Sequence, residues 1–181
     1  LRKPEEDGEA DTDLFSPKKK KSKGDTAASP VSKENLAIAK SWLASSDEYN
    51  LLVNGTAITA FPVYYQNDLA LLRQSLRIVQ AGTEVAEVKG KDLIPAHGLA
   101  MSRLLKTSVF STEALTYEQA IAYLRKEAIV LPPSVPKGYV LVTYKEIPLG
   151  FVKNIGNRAN NLYPQEWRIR SGYLPDDIRT L

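Results

Sequence analysis

The sequence predicts an α+β protein of two small units, residues 33–103 and 104–181, behind a charged linker, residues 1–32. Three observations carry this. Asn54-Gly55 separates the apolar runs YNLLV and TAITAF; amphipathic helical stretches begin after Ser32 and Thr116; and a strand pair, YVLVTY and IPLGFVKNI, lies near the C-terminal end. Alternation of helix-period and strand-period segments is the mark of a mixed fold.

The linker joins an acidic half, PEEDGEADTD, to a lysine block, Lys18 to Lys21 plus Lys23. Few apolar residues and high charge predict disorder, because ordering would cost chain entropy with little burial in return. The block is a solvated charge run or, in the alternative, adds sequence-blind affinity for RNA phosphates.

Ser32 is the expected N-cap of a helix through about Ser45, with Leu36, Ala39 and Leu43 on one face. A hairpin follows, turning on Asn54-Gly55, a pair that tolerates positive φ. NDLALLRQSL, from Asn67, has helical spacing and a capping residue; short strands are expected at Arg77 to Val79 and Thr83 to Val88, and a helix from Pro95 to Leu105. Lys33 to Arg103 holds seven basic and seven acidic residues, so this unit has no net charge and looks structural. His97 lies at the start of a helical run without a second histidine or a cysteine, and is expected to fix the helix entrance by a local hydrogen bond.

Thr116 to Gln119 forms a capping box. It opens a helix that buries Ala120, Ile121 and Leu124 and ends near Lys126; AIVL then reads as a short strand before Pro132-Pro133. In YVLVTY both alternate faces are apolar or aromatic, as in a strand covered on two sides. Lys145-Glu146 turns the chain into IPLGFVKNI, where Gly150 permits a bend. Lys153 shares a face with Leu149, Phe151 and Ile155, so it must snorkel or follow a bulge. The loop GNRANNLYP is expected to display its side chains.

Charge is concentrated here. Residues 137–170 carry Lys137, Lys145, Lys153, Arg158, Arg168 and Arg170 among their basic groups against Glu146 and Glu166, while the whole chain has a formal charge of +3. Cations for phosphates, amides for base edges and 2′-hydroxyls, and rings for unpaired bases are the groups that RNA recognition uses. The candidate contact set is Lys145, Lys153, Arg158, Asn160, Asn161, Tyr163 and Arg168. Tyr144 and Trp167 are assigned to the core, since large rings usually supply the packing of a small barrel.

Catalysis by this chain is not expected. It has no cysteine and one histidine, which removes thiol nucleophiles, thiolate metal sites and histidine pairs. Its carboxylates form no recognisable constellation, and neither a membrane span nor a charged-then-apolar leader is visible. The expectation is a cytoplasmic protein. Leu1 at the start and a single methionine, Met101, suggest a beginning inside a longer protein.

The run GYVLVTYKEIPLGFVKNIGNRANNLYPQEWRIR resembles the C-terminal PUA-like RNA-binding domain of RsmF-type ribosomal RNA cytosine-C5 methyltransferases of the Nop/Sun family. Gly138, Tyr139, Leu141, Val142 and Tyr144 match the first part of the family pattern. Pro148, Leu149, Gly150 and Lys153 match the second, and Asn161, Tyr163, Pro164 and Arg168 the third. Upstream, IPAHGLAMS is similar to a P-x-H-x-L-A pattern in the small domain preceding the PUA-like one, and Leu1-Arg2-Lys3 would be the tail of a methyltransferase domain. Two departures stand out: Lys126 where a glycine is expected after the helix, and Lys145-Glu146 in place of a glycine-containing turn.

The resemblance implies a PUA-like mixed β pseudo-barrel with a flanking helix, in a region that docks ribosomal RNA, small-subunit by expectation, for a catalytic domain outside the chain. That domain would supply two cysteines and bind S-adenosylmethionine; this chain would hold no cofactor, be monomeric, avoid membranes and pack on its own N-terminal methyltransferase domain. The alternative is a pair of structural, protein-interaction units that pack on the catalytic domain with little RNA contact.

Overall fold

The computed structural model describes residues 31–171, so the charged linker up to residue 30 and its lysine block lie outside the described residues, as do the last ten. The described residues fold into two four-stranded sheets, each with its strands in sequence order. Together with four helices this is the α+β class the sequence predicts, with no closed barrel among the described residues.

Helix α1, Lys33–Ser41, is capped by Ser32, whose hydroxyl accepts from the Asn35 N–H at 3.1 Å. It buries Ala39. Strands β1, Tyr49–Asn54, and β2, Ala57–Pro62, form the first hairpin, in which Asn54 pairs with Ala57. The turn is therefore Gly55-Thr56, one residue later than expected. Gly55 has φ +60° and Thr56 keeps negative φ, so only the glycine takes the conformation that side chains resist.

Helix α2, Gln66–Ser75, is preceded by a 3-10 turn at Val63–Tyr65, and no side chain caps it, contrary to expectation. It buries only Leu69 and leaves Leu71, Leu72 and Leu76 exposed. The strand expected at Arg77 to Val79 does not form. Strands β3, Thr83–Lys89, and β4, Asp92–Pro95, complete the first sheet. The helix expected from Pro95 to Leu105 is reduced to the four-residue α3, His97–Ala100. Its first expected residue, Pro95, instead closes β4, where it pairs with Ala86 of β3.

The second sheet begins with β5, Ser111–Ala114, parallel to β6, Gly138–Tyr144. Between them lies α4, Tyr117–Leu124, with the capping box of Thr116 and Gln119 formed in both directions. It buries Ala120 and Tyr123, while Ile121 is only half-buried. β7, Ile147–Asn154, and β8, Ala159–Asn161, complete the order. The AIVL segment contributes one bridge, Ile129 to Ala159.

Strand β6 has apolar residues on both faces because it serves two cores. Leu141, with Phe151 of β7, joins Trp42, Ile58, Val85, Leu99 and Phe110 beneath the first sheet. Val140, Val142 and Val152 face the other way, toward Leu115, Tyr123 and Ile129. The Phe110 ring lies 5.3 Å from Trp42 and 4.8 Å from Phe151, so aromatic packing runs from α1 into the second sheet. Burying each such side chain contributes about 1.5–3 kcal/mol. Helix α3 packs on both β3 and β7 and so touches both sheets.

Candidate nucleic-acid interface

The seven candidate residues divide among three places. At one end of the second sheet, the loop 155–158 is held by Asn154, which is 5% exposed. Its amide donates to the carbonyls of Val135 at 3.0 Å and Pro136 at 3.1 Å, and its Oδ1 accepts from the Gly156 N–H at 2.9 Å. This lays Lys137 across Gly156, where an added Cβ would come within 2.8 Å of Lys137 Cε. Arg158 and Asn160 are exposed at the same end. Lys153, opposite Asn160 in the ladder, runs over the Tyr139 ring at 5.5 Å and pairs with Asp92 at 2.6 Å. Its snorkel thus ends on the other sheet, and the hydrogen bond it donates to Asp92 holds its pKa above the usual lysine range.

Lys145 stands at the opposite end of the sheet, in the β6–β7 turn, with φ +47°. Six residues of strand separate it from Lys153, roughly 20 Å at about 3.3 Å per residue. One bound phosphate cannot touch both.

The third place is the C-terminal end of α4. The Asn161 amide donates to the carbonyls of Tyr123 at 2.8 Å and Glu127 at 3.0 Å, while its Oδ1 accepts from Tyr163 N–H at 2.9 Å. The two bonds from the side-chain amide tie the end of β8 to backbone carbonyls at and just beyond the C-terminal end of α4. The Tyr163 ring sits edge-on to Tyr123 at 5.4 Å and to His97 at 5.1 Å. The expectation that the whole loop displays its side chains therefore holds for Arg158 and Asn160 and is corrected for Asn161 and Tyr163, which are half-buried and hold the fold together. Arg168 is exposed, in a hollow of about 310 Å³ with Arg125, Glu127 and Arg170.

A larger cleft, of about 650 Å³, opens where β3, β4 and α3 meet the segment after β8. Glu84, His97, Lys126, Pro164 and Trp167 are among its lining residues. Trp167 is 59% exposed, which corrects its assignment to the core. It lies in the 3-10 turn Gln165–Trp167, which follows Pro164 and buries none of its residues. The His97 ring lies edge-on to Trp167 at 5.3 Å. Its buried Nδ1 has no hydrogen-bond partner, so packing rather than a local hydrogen bond fixes it. Burial holds the His97 pKa below its ordinary value, and burial with the neighbouring Glu87 charge raises that of Glu84. Lys126 is lowered by burial and donates to the Tyr163 carbonyl. No group of three metal-ligating side chains occurs among the described residues.

A mixed sheet with a crossover helix, wrapped by a basic edge and an aromatic corner, defines a PUA-like domain. Residues 110–169, which span β5 to the turn at Trp167, match the family described as the methyltransferase RsmF PUA domain. The chain is 29% identical over 138 residues to ribosomal RNA small subunit methyltransferase F of Enterobacter sp. (strain 638), covering 76% of this chain and 27% of that protein. It is 28% identical over 99 residues to the protein of the same name from Klebsiella pneumoniae (strain 342), covering 55% of this chain and 20% of that one. The chain thus spans about a quarter of the length of these relatives or less. The similarity to the first is longer than the PUA domain and takes in part of the first sheet.

Proposed function

We propose that this region docks ribosomal RNA, of the small subunit, for an S-adenosylmethionine-dependent cytosine-C5 methyltransferase whose catalytic residues lie outside it. The observation that carries the reading is a domain matching the RsmF PUA family whose sheet ends in an exposed cationic edge, Lys137 and Arg158 beside Asn160. Among the candidates, Arg158 and Asn160 have the exposure that contact requires, with Lys145 and Arg168 as separate outlying cations. Lys153 serves the edge by tying it to Asp92 on the first sheet.

The residues present do not fit the cofactor. Among the described residues, one helix connects parallel strands, and its entry, Leu115-Thr116, has none of the glycines that let a backbone approach such a ligand. No cysteine is available as a nucleophile. The chain's contribution is to raise the local concentration of RNA and fix its orientation. We assign the units 33–103 and 104–181 to that one task, the first as the support on which the second is held.

Fluorescence anisotropy across a salt series, with fragments of small-subunit ribosomal RNA and a matched DNA duplex, tests this. RNA should bind more tightly than DNA, and Arg158→Ala should shrink the salt slope by about one, with an unchanged urea midpoint. An Arg158→Ala protein that binds RNA as the parent does, with the same slope, removes the cationic edge from the interface.

A further inference from the structure

The cleft at the junction of the sheets is unlike the cationic edge. Glu84, Glu87 and Glu166 face Lys89 and Lys126 there, so its formal charge is one negative. A phosphate gains little from such a lining. At about 650 Å³ the cleft has the size of a site for a nucleotide-sized group, typically about 300–1,000 Å³. Its walls combine apolar surface from Ile94, Pro95 and Leu162 with an indole that is 59% exposed. That indole packs edge-on with the His97 ring, and its segment is tied down by backbone bonds, Trp167 amide N–H to the Pro164 carbonyl at 3.3 Å and Ile169 amide N–H to the Leu124 carbonyl at 3.0 Å. An exposed ring lining the same cleft as the half-buried carboxylate of Glu84 is the arrangement that receives a flat polar ring with donor groups on its rim.

We infer that this cleft seats one unpaired RNA base, stacked on Trp167 and presenting an exocyclic amine to Glu84. Base–aromatic stacking contributes about 1–3 kcal/mol per base, and carboxylates accept from the N4 amine of cytosine but not from the O4 of uracil. The cationic edge then holds the strand by its phosphates while the cleft reads one of its bases. The assignment rests on the RNA-docking reading and refines it.

The test uses the intact chain with single-stranded oligocytidylate and oligouridylate of equal length, followed by tryptophan fluorescence. Trp42 is buried at 6% exposure and the exposed Trp167 is the other tryptophan, so quenching on binding reports the cleft. Oligocytidylate should quench and bind more tightly than oligouridylate. Trp167→Ala should weaken oligocytidylate binding about ten-fold or more, and Trp167→Phe, which keeps a smaller ring, should weaken it less. Glu84→Gln should abolish the preference, because an amide offers both a donor and an acceptor. Arg158→Ala should weaken both oligonucleotides equally and leave the preference intact.

If Trp167→Ala binds both strands as the parent does while Arg158→Ala still weakens them, the cleft assignment fails and the docking role stands. Quenching by arginine amide with none by RNA gives the cleft to a cationic protein side chain and overturns the inference. Failure of the parent chain to bind either strand or ribosomal RNA overturns both readings.

Discussion

The two sheets solve the same problem of tight turning in different ways. In the first, every turn residue with positive φ is a glycine: Gly55, Gly82 and Gly90. In the second, Gly138, Gly150 and Gly156 are joined in that region by Lys126, Lys145 and Glu146, at +64°, +47° and +66°. These are the only side-chain-bearing residues with positive φ among the described residues, and all are charged. A side chain there costs about 1–2 kcal/mol per residue relative to glycine. The difference teaches where the molecule keeps charge at the expense of backbone ease: at the corners of the PUA domain, not in its neutral support.

The largest effects should come from crowding Gly82 and Gly150, the two glycines where an added Cβ would fall closest to neighbouring atoms. At Gly82, φ +80°, a Cβ would fall 2.2 Å from the Ala60 carbonyl oxygen; at Gly150, φ +143°, it would fall 2.1 Å from the Tyr123 hydroxyl and 2.9 Å from His97 Nδ1. Either alanine variant should lose on the order of 3–5 kcal/mol in urea unfolding. Gly150→Ala should recover part of that when combined with Tyr123→Phe, which removes the obstructing hydroxyl along with its 3.2 Å bond to the Phe151 carbonyl. Gly82→Ala meets backbone and has no equivalent rescue. Equal behaviour of the two would end the distinction.

The charged turn gives a smaller effect of opposite sign. Lys145→Asn with Glu146→Gly should stabilise by about 1 kcal/mol or more, because that pair suits a type I′ turn. A loss of RNA affinity in the same protein would show what the charges are for. No loss would make Lys145 an outlier to the interface.

A pH titration is next. The His97 pKa is depressed by burial, so the folded state binds its proton less readily than the unfolded chain. Its stabilising contribution is complete above the ordinary value of about 6.5 and is lost as pH falls through that value toward the folded pKa. Glu84, raised in the fold, acts in the opposite direction: protonation relieves its burial as pH falls. His97→Gln should therefore flatten the loss of stability on acidification below about pH 6.5 in urea unfolding. The smallest effect belongs to Lys153→Ala. The ion pair with Asp92 is solvent-exposed, with side-chain exposures of 34% and 58%, and should contribute about 1 kcal/mol or less, reduced by added salt.

Local chemistry was legible in the sequence. Ser32 and Thr116 cap their helices as expected, because a hydroxyl accepting from a nearby N–H needs only neighbouring residues. The two-sided strand β6 was legible too, since its burial is written into consecutive apolar residues. The resemblance to an RsmF-type PUA domain was carried by motifs that the family match places in the same stretch. Long-range partners were not legible. Nothing near Asn161 in sequence announces the carbonyls of Tyr123 and Glu127, 38 and 34 residues away, and nothing near Lys153 announces Asp92, 61 residues away. Trp167 was misassigned because composition alone places a large ring inside, whereas it lies in an exposed turn after Pro164. The buried Asn154, which shapes the basic loop, carried no signal beyond an asparagine at a strand end.

Strand β6 has one more consequence. Leu141 and Phe151 belong to the core under the first sheet, while their neighbours Val140 and Val152 belong to the other. A cut between the units would leave a PUA domain with a naked aromatic face and a support with a hole in it. Heat should find no seam between them, and calorimetry should record one transition rather than two. The piece that can be inherited, exchanged or grafted intact is therefore the pair.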